Sequence, residues 1–208
     1  SSIYIGSSYL HFRGNTMLKR LVNKFSVFEI IVIALMATLG IATKPVIVPL
    51  AHIITGPLYI PGGAIAGGLY MMWIVLGMGL IRKIGVATLI SIVQAIMVVS
   101  LGIYGTHGII SFLTYIIPGL IVDLHMLIVK SKIFQKGNFF IAGILANVSG
   151  TFLVNVIFFR LPLIPLVLTL ATASLSGGIG GLIAYGIYKQ LRKNQVLENL
   201  INGREYNE

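Results

Sequence analysis

The chain has 208 residues, of which 57% are hydrophobic and only 10% are charged, and its mean hydropathy is +0.98. These values exclude an ordinary soluble domain and a disordered chain, and the lack of cysteine excludes disulfides, thiol catalysis and thiolate metal sites. The formal charge of +10 would suit nucleic-acid binding, but the positions of the charges argue against it.

In chain order, residues 1–24 form a polar N-terminal extension, for which we expect a natural start at Met17 and an added or loose segment before it. Six apolar stretches follow, each near the ~20 residues that a helix needs to cross hydrocarbon. They are residues 27–43, 63–81, 85–104, 108–129, 139–159 and 163–188. We predict an all-α integral membrane protein with six transmembrane helices in one domain, residues 25–190, and a cytoplasmic tail, residues 191–208. No cleavable signal peptide is predicted.

The segment between the first two helices, residues 44–63, is apolar but rich in helix breakers. It reads KPVIVPLAHIITGPLYIPGG and holds four of the seven prolines of the chain. Each proline removes a backbone donor, so the sequence predicts a non-helical segment here. Such a backbone is tolerated at membrane depth only inside protein or along a cavity. We therefore expect a re-entrant lid over a pocket; a static plug with no ligand beneath it is the alternative.

The distribution of lysine and arginine predicts the orientation in the membrane. With the N-terminus inside, only Lys44 and Arg160 fall outside. The inside set is Arg13, Lys19, Arg20, Lys24, Arg82, Lys83, Lys130, Lys132, Lys136, Lys189, Arg192, Lys193 and Arg204. This positive-inside bias predicts that both termini are cytoplasmic, and it accounts for the basic composition without nucleic acid.

The acidic residues are few and none lies in the predicted outer half. Glu29 and Asp123 lie near the inner ends of helices, and the other acids lie in the tail. For Asp123 an ion pair with Lys130 is favoured over a proton relay. The histidines lack the spacing of a zinc helix, and no GxxxxGK[ST] loop is present. We expect no enzyme activity, no metal and no cofactor.

The predicted outer half is instead rich in aromatic and amide side chains, which predicts a pocket that stacks and hydrogen-bonds a small molecule. The candidate substrate-binding residues are Tyr59, Tyr70, Trp73, Gln94, Tyr115, Asn147, Asn155 and Arg160. The two external cations, Lys44 and Arg160, would favour a carboxylate or phosphate. The alternatives are contacts between helices for the amides, an interfacial belt for the tyrosines and snorkelling for the cations.

Small residues recur at helical spacing on the first and last predicted helices. Ala34, Thr38 and Ala42 share one face of the first, and Gly177 and Gly181 one face of the last. Such faces let helices approach closely in lipid. They predict either packing within the chain or docking onto another membrane protein, and we take these five residues as candidate interface residues.

Three segments together resemble the substrate-binding S-components of energy-coupling factor (ECF) transporters, most closely the hydroxymethylpyrimidine and thiamine branch. They are GLYMMWIVLGMGLIRKIGVATLISIVQAIMVVSLG, IIPGLIVDL and SLSGGIGGLIAYG. The resemblance implies a multi-pass protein of a prokaryotic plasma membrane that captures a vitamin-like solute outside. It also implies partners, namely a membrane coupling subunit and two cytoplasmic ATPases, on which the S-component docks and topples.

The side chains of the predicted pocket argue against thiamine as the substrate. A pocket without a carboxylate offers cationic thiamine little attraction, so we expect a neutral or anionic heteroaromatic solute. A porphyrin-like ligand using His52 or His107 is a more remote hypothesis. A self-sufficient secondary transporter or channel, and an assembly subunit without ligand, remain the alternative functions.

Overall fold

The computed structural model describes residues 25–58, 60–102, 110–130 and 134–193. Within them the chain is all-helical, and the helices are numbered here in chain order. They are α1 (Val27–Thr55), α2 (Gly62–Ile81), α3 (Val86–Leu101), α4 (Ser111–Val129), α5 (Lys136–Val154) and α6 (Leu163–Arg192). A 3₁₀ turn, Gly56–Leu58, follows α1, and a π-helical turn, Asn155–Phe159, extends α5.

Five of the six helices are long and apolar enough to cross a membrane. The exception among the described helices is α3, whose 16 residues span only about 24 Å at ~1.5 Å per residue. The predicted all-α membrane class is thus confirmed. The predicted polar extension before residue 25 and the tail beyond residue 193 lie outside the described residues.

The prediction of a non-helical segment after residue 43 is wrong for its first part, because α1 continues through Pro45 and Pro49 to Thr55. Each proline removes one donor and crowds one carbonyl, while the bonds of the flanking turns persist. Membrane helices tolerate this loss because hydroxyl side chains and neighbouring helices satisfy freed groups. The connection to α2 is therefore short.

Helix α2 is the centre of the bundle, with most of its residues buried. It packs along α1 and α6, and α6 also packs along α5. Glycines allow these close approaches, since a Cβ at Gly180 of α6 would overlap the carbonyl of Gly68 in α2. Gly177 and Gly143 meet in the same way between α6 and α5. The apolar core lies mainly at the end of the bundle where α2 finishes.

Charged groups at that end of the bundle cap and join helices. Ser26 and Glu29 form a capping box at the start of α1, and Glu29 also pairs with Lys83 over 2.7 Å. Asp123 is buried and accepts from the Thr88 backbone N–H over 2.8 Å and from the Thr88 hydroxyl over 2.5 Å. It therefore caps the first turn of α3, where N–H groups lack helical partners. The expected ion pair of Asp123 with Lys130 is not formed.

The two small-residue faces have different positions. Ala34, Thr38 and Ala42 are all exposed along α1. Gly177 and Gly181 are buried, and Cβ atoms there would overlap the carbonyls of α5. Close packing of α6 within the chain accounts for these two glycines, so they do not belong to an exposed surface.

Candidate functional site

A cavity of about 150 Å³ lies where α1 ends and α2 begins, and α5 closes its far side. Its walls come from Lys44, Val48, His52, Pro61, Gly63, Ala64, Tyr70, Gly150, Thr151, Val154, Asn155 and Phe159. A smaller lobe of about 50 Å³ shares Lys44 and Tyr70 and adds Thr114 and Tyr115 from α4. A cavity of about 150 Å³ accommodates a benzene-sized molecule.

The continuation of α1 as a helix builds one wall of this cavity. Lys44, Val48 and His52 are four residues apart, so they lie one above another on a single helix face. That face would not exist if the helix ended at Thr43. The His52 Nδ1 accepts a hydrogen bond from the Gly62 backbone N–H over 3.4 Å, which ties the end of α1 to the start of α2.

Lys44 brings a positive charge between two tyrosine rings. Its Nζ lies 4.5 Å from the ring centroid of Tyr115 and 5.4 Å from that of Tyr70. It also donates a hydrogen bond to the Tyr115 hydroxyl. The ring faces attract a cation but do not neutralise it. Among the described residues, the one ion pair is that of Glu29 with Lys83 at the other end of the bundle, so no carboxylate balances Lys44.

Asn155 contributes an unused acceptor. The residue is 2% exposed and lines the cavity, and its Oδ1 has no hydrogen-bond partner within the protein. Its Nδ2 makes one long bond of 3.4 Å to the Thr151 carbonyl in its own helix. A buried polar atom without a partner is costly, so a ligand donor here would be favoured. Asn155 also begins the π-helical turn, a feature common at functional sites.

Of the predicted substrate-binding residues, the structure brings together Tyr70, Tyr115 and Asn155 around the cavity and its small lobe. Tyr70 also donates to the Gly63 carbonyl over 3.3 Å, within the wall. Tyr59 lies outside the described residues. Arg160 is exposed at the end of α5 and does not line the cavity.

Three further predicted residues lie between helices rather than along the cavity. The Trp73 indole donates to the Thr43 hydroxyl over 3.1 Å and joins α2 to α1. Gln94 is buried on α3, with its amide nitrogen against Gly40 of α1. Asn147 is 1% exposed and donates over 2.9 Å to each of two carbonyls, those of Ala64 in α2 and Ala173 in α6. Interhelical hydrogen bonds thus account for the Trp73 indole and the Asn147 Nδ2, whereas the Gln94 Nε2 and the Asn147 Oδ1 have no hydrogen-bond partner among the described residues.

Val48, Thr151 and Val154 were not among the predicted site residues, and His52 was considered only for a porphyrin. The spacing of Lys44, Val48 and His52 carried a helical signal, which the prolines concealed. Among the described residues, no group of three histidine, cysteine, aspartate or glutamate side chains could hold a metal ion. The site offers one cation, one imidazole, one free amide oxygen and apolar or aromatic walls.

Residues 28–149, from α1 into α5, match the model of a family described as "ABC-type cobalt transport system, permease component". The matched region is more than half of the chain. The chain belongs to this family. This family consists of membrane transport components, so a transport role is shown for the chain at that level.

The fold is also similar to that of a crystal structure described as an S-component of an ECF transporter. The TM-score is 0.70, the sequence identity is 19%, and the match covers 84% of this chain and 89% of that chain. At this identity the similarity establishes the fold alone. Among curated proteins, none matches the chain.

Proposed function

We propose that this permease-family protein is the substrate-capture subunit, or S-component, of an ECF-type importer. It binds a small anionic molecule with one heteroaromatic ring in the cavity beside Lys44. The likeness in fold to an S-component over most of both chains supports the role. The observation that carries the substrate class is the Lys44 ammonium, which faces the cavity with no carboxylate beside it among the described residues.

The cavity matches each part of such a substrate to a feature of the walls. A carboxylate or phosphate would accept from Lys44, which gives a charge-assisted bond in a largely apolar site. A ring nitrogen or amino donor would satisfy the free Oδ1 of Asn155. The volume of about 150 Å³ suits a single ring and is too small for a porphyrin. A pyrimidine derivative fits these requirements, whereas cationic thiamine would be repelled by Lys44.

The family description names cobalt, but the donor set of this cavity does not favour a free cobalt ion. Divalent first-row metals bind imidazole, thiolate and carboxylate ligands. The cavity offers one imidazole, His52, together with an ammonium that repels cations. We therefore favour an organic anion over a metal cation as the substrate.

We further propose six membrane-spanning helices, with both termini cytoplasmic and the Lys44 cavity open to the outside. The positive-inside bias supports this orientation, because the described basic residues other than Lys44 and Arg160 lie at the opposite end of the bundle. The coupling subunit would dock on the exposed face of Ala34, Thr38 and Ala42, and toppling on that subunit would release the solute inside. The location would be a prokaryotic plasma membrane.

The test is mass spectrometry of small molecules released by denaturing the freshly purified protein, with cobalt measured in parallel by elemental analysis. We expect close to one organic anion per protein and no stoichiometric cobalt. Stoichiometric cobalt without an organic compound would overturn the substrate class. Failure to retain any compound after growth in rich medium would favour the assembly-subunit alternative.

A further inference from the structure

A second groove lies at the end of the bundle opposite the Lys44 cavity, between the α2–α3 turn and the end of α4. It has a volume of about 440 Å³ and is lined by Arg82, Ile84, Met126, Leu127, Lys130 and Phe134. None of these residues lines the Lys44 cavity. The substrate-capture role proposed above leaves this groove without a function.

Two cations flank the groove, and neither is paired with a carboxylate among the described residues. The Arg82 guanidinium lies 4.2 Å from the ring centroid of Phe134, and its Nη2 donates to the Tyr188 hydroxyl over 2.5 Å. These aromatic contacts hold the guanidinium in place and leave its charge intact. Lys130 is exposed. The nearby acid Asp123 is engaged by the first turn of α3.

Both cations also occupy unusual backbone positions. Arg82 has a φ of 59° and Lys130 a φ of 52°, and they are two of the three described non-glycine residues with positive φ. Glycine is the ordinary residue for such positions at helix ends. Arg160, the third such residue, is also basic and lies outside the groove, so the case for a site comes from the two charges and the apolar side chains beside them.

The floor of the groove is apolar and faces outward. Ile84, in the α2–α3 turn, is 44% exposed, and Leu127, near the end of α4, is 47% exposed. A soluble anion would use the two cations but leave this apolar surface in water. A phospholipid satisfies both, because its phosphate pairs with the cations and its acyl chains cover the apolar side chains. We propose that the groove bounded by Arg82 and Lys130 is a binding site for an anionic phospholipid.

The experiment titrates the purified protein in neutral detergent with phosphatidylglycerol, phosphatidylcholine or inorganic phosphate, and counts bound lipid by native mass spectrometry. Phosphatidylglycerol should remain bound and phosphatidylcholine should not. The Lys130→Gln variant should bind phosphatidylglycerol roughly fivefold more weakly, the effect of one basic residue at an anionic surface. Lys130→Arg should restore binding. All three side chains have a Cβ, so the backbone cost at position 130 is the same in each.

The matched control is Lys189→Gln, which removes one exposed positive charge from the last turn of α6 without touching the groove. It should bind phosphatidylglycerol as the wild type does. If Lys130→Gln and Lys189→Gln weaken phosphatidylglycerol binding equally, binding depends on the net charge of the protein and not on the groove. That result would overturn the proposed site. Equal retention of the two lipids, or full displacement by millimolar inorganic phosphate, would also overturn it. None of these outcomes depends on the solute bound beside Lys44.

Discussion

The Lys44 ammonium lies 4.5 Å from the ring centroid of Tyr115 and donates a hydrogen bond to the hydroxyl of the same residue. This pair joins α1 to α4 across the smaller lobe of the cavity. It places a charge from a largely apolar helix inside the protein, where the low dielectric strengthens its attraction for an anion. Lys44 is therefore the first position to change.

Replacing Lys44 with glutamine should lower the affinity for the co-purifying anion by at least about tenfold, because a hydrogen bond to a charged group contributes roughly 1.5–3 kcal/mol. Glutamine keeps a donor but loses the charge. The measurement is the molar ratio of released compound to protein, followed by titration calorimetry with that compound. Arg160→Gln is the control, since Arg160 is exposed and outside the cavity. If Lys44→Gln and the wild type bind the compound with equal affinity, the charge of Lys44 does not contribute to ligand recognition.

The two buried asparagines of the α5 segment should respond differently to alanine. Asn147→Ala removes bonds to Ala64 and Ala173 and should lower the free energy of unfolding by roughly 1–3 kcal/mol. Asn155→Ala removes one 3.4 Å bond within its own helix and should change stability little while weakening ligand binding several-fold. Thermal unfolding in detergent and ligand titration separate these effects. A ligand affinity unchanged in Asn155→Ala would exclude Oδ1 as a recognition group.

The Gly180→Ala variant should weaken the packing of α6 against α2. The new Cβ would overlap the Gly68 carbonyl, and backbone atoms cannot move aside as a flexible side chain can. We expect a loss of roughly 1–3 kcal/mol, as in other overpacked interiors. Gly186→Ala on the same helix has open space around it, so it should be neutral or stabilising by up to ~1 kcal/mol. Similar melting temperatures for both variants would contradict the close contact.

Trp73→Phe tests whether Trp73 serves the fold or the ligand. The change removes the bond to the Thr43 hydroxyl but keeps an aromatic ring against the core. We expect a loss of about 0.6–1.7 kcal/mol in stability, the range for interhelical hydrogen bonds in membranes. The ratio of bound compound to protein should stay unchanged. If Trp73→Phe loses ligand binding but keeps normal stability, Trp73 is a substrate-binding residue, contrary to this expectation.

Tryptophan at Ala34 tests the proposed docking face of α1. Ala34 is exposed and its helix face also carries Thr38 and Ala42, so a bulky ring should prevent close approach of a partner helix. Co-purification with the coupling subunit should be lost while ligand binding is kept. Leu120→Trp, at an exposed position on α4, should leave the complex intact. Retention of the complex by Ala34→Trp would contradict docking through this face.

The sequence alone determined that this protein is a helical membrane protein, because hydrophobic length is a local property of the chain. Tyr70, Tyr115 and Asn155 were also singled out from the sequence, since aromatic and amide side chains in apolar stretches need partners. Proline chemistry, in contrast, led to the wrong structure for residues 44–55. A proline costs one hydrogen bond, and a long helix packed in a bundle retains the others.

Only the tertiary structure decided which polar side chains face the cavity. Asn147 and Asn155 are alike in the sequence, yet the Asn147 Nδ2 bridges two neighbouring helices, whereas Asn155 lines the cavity. The sequence likewise predicts Lys44 to be a cation at the end of a helix. In the bundle its ammonium lies beside the rings of Tyr70 and Tyr115. The partner of a polar group in an apolar interior belongs to another helix, and helix neighbours are set by packing, which no local pattern encodes.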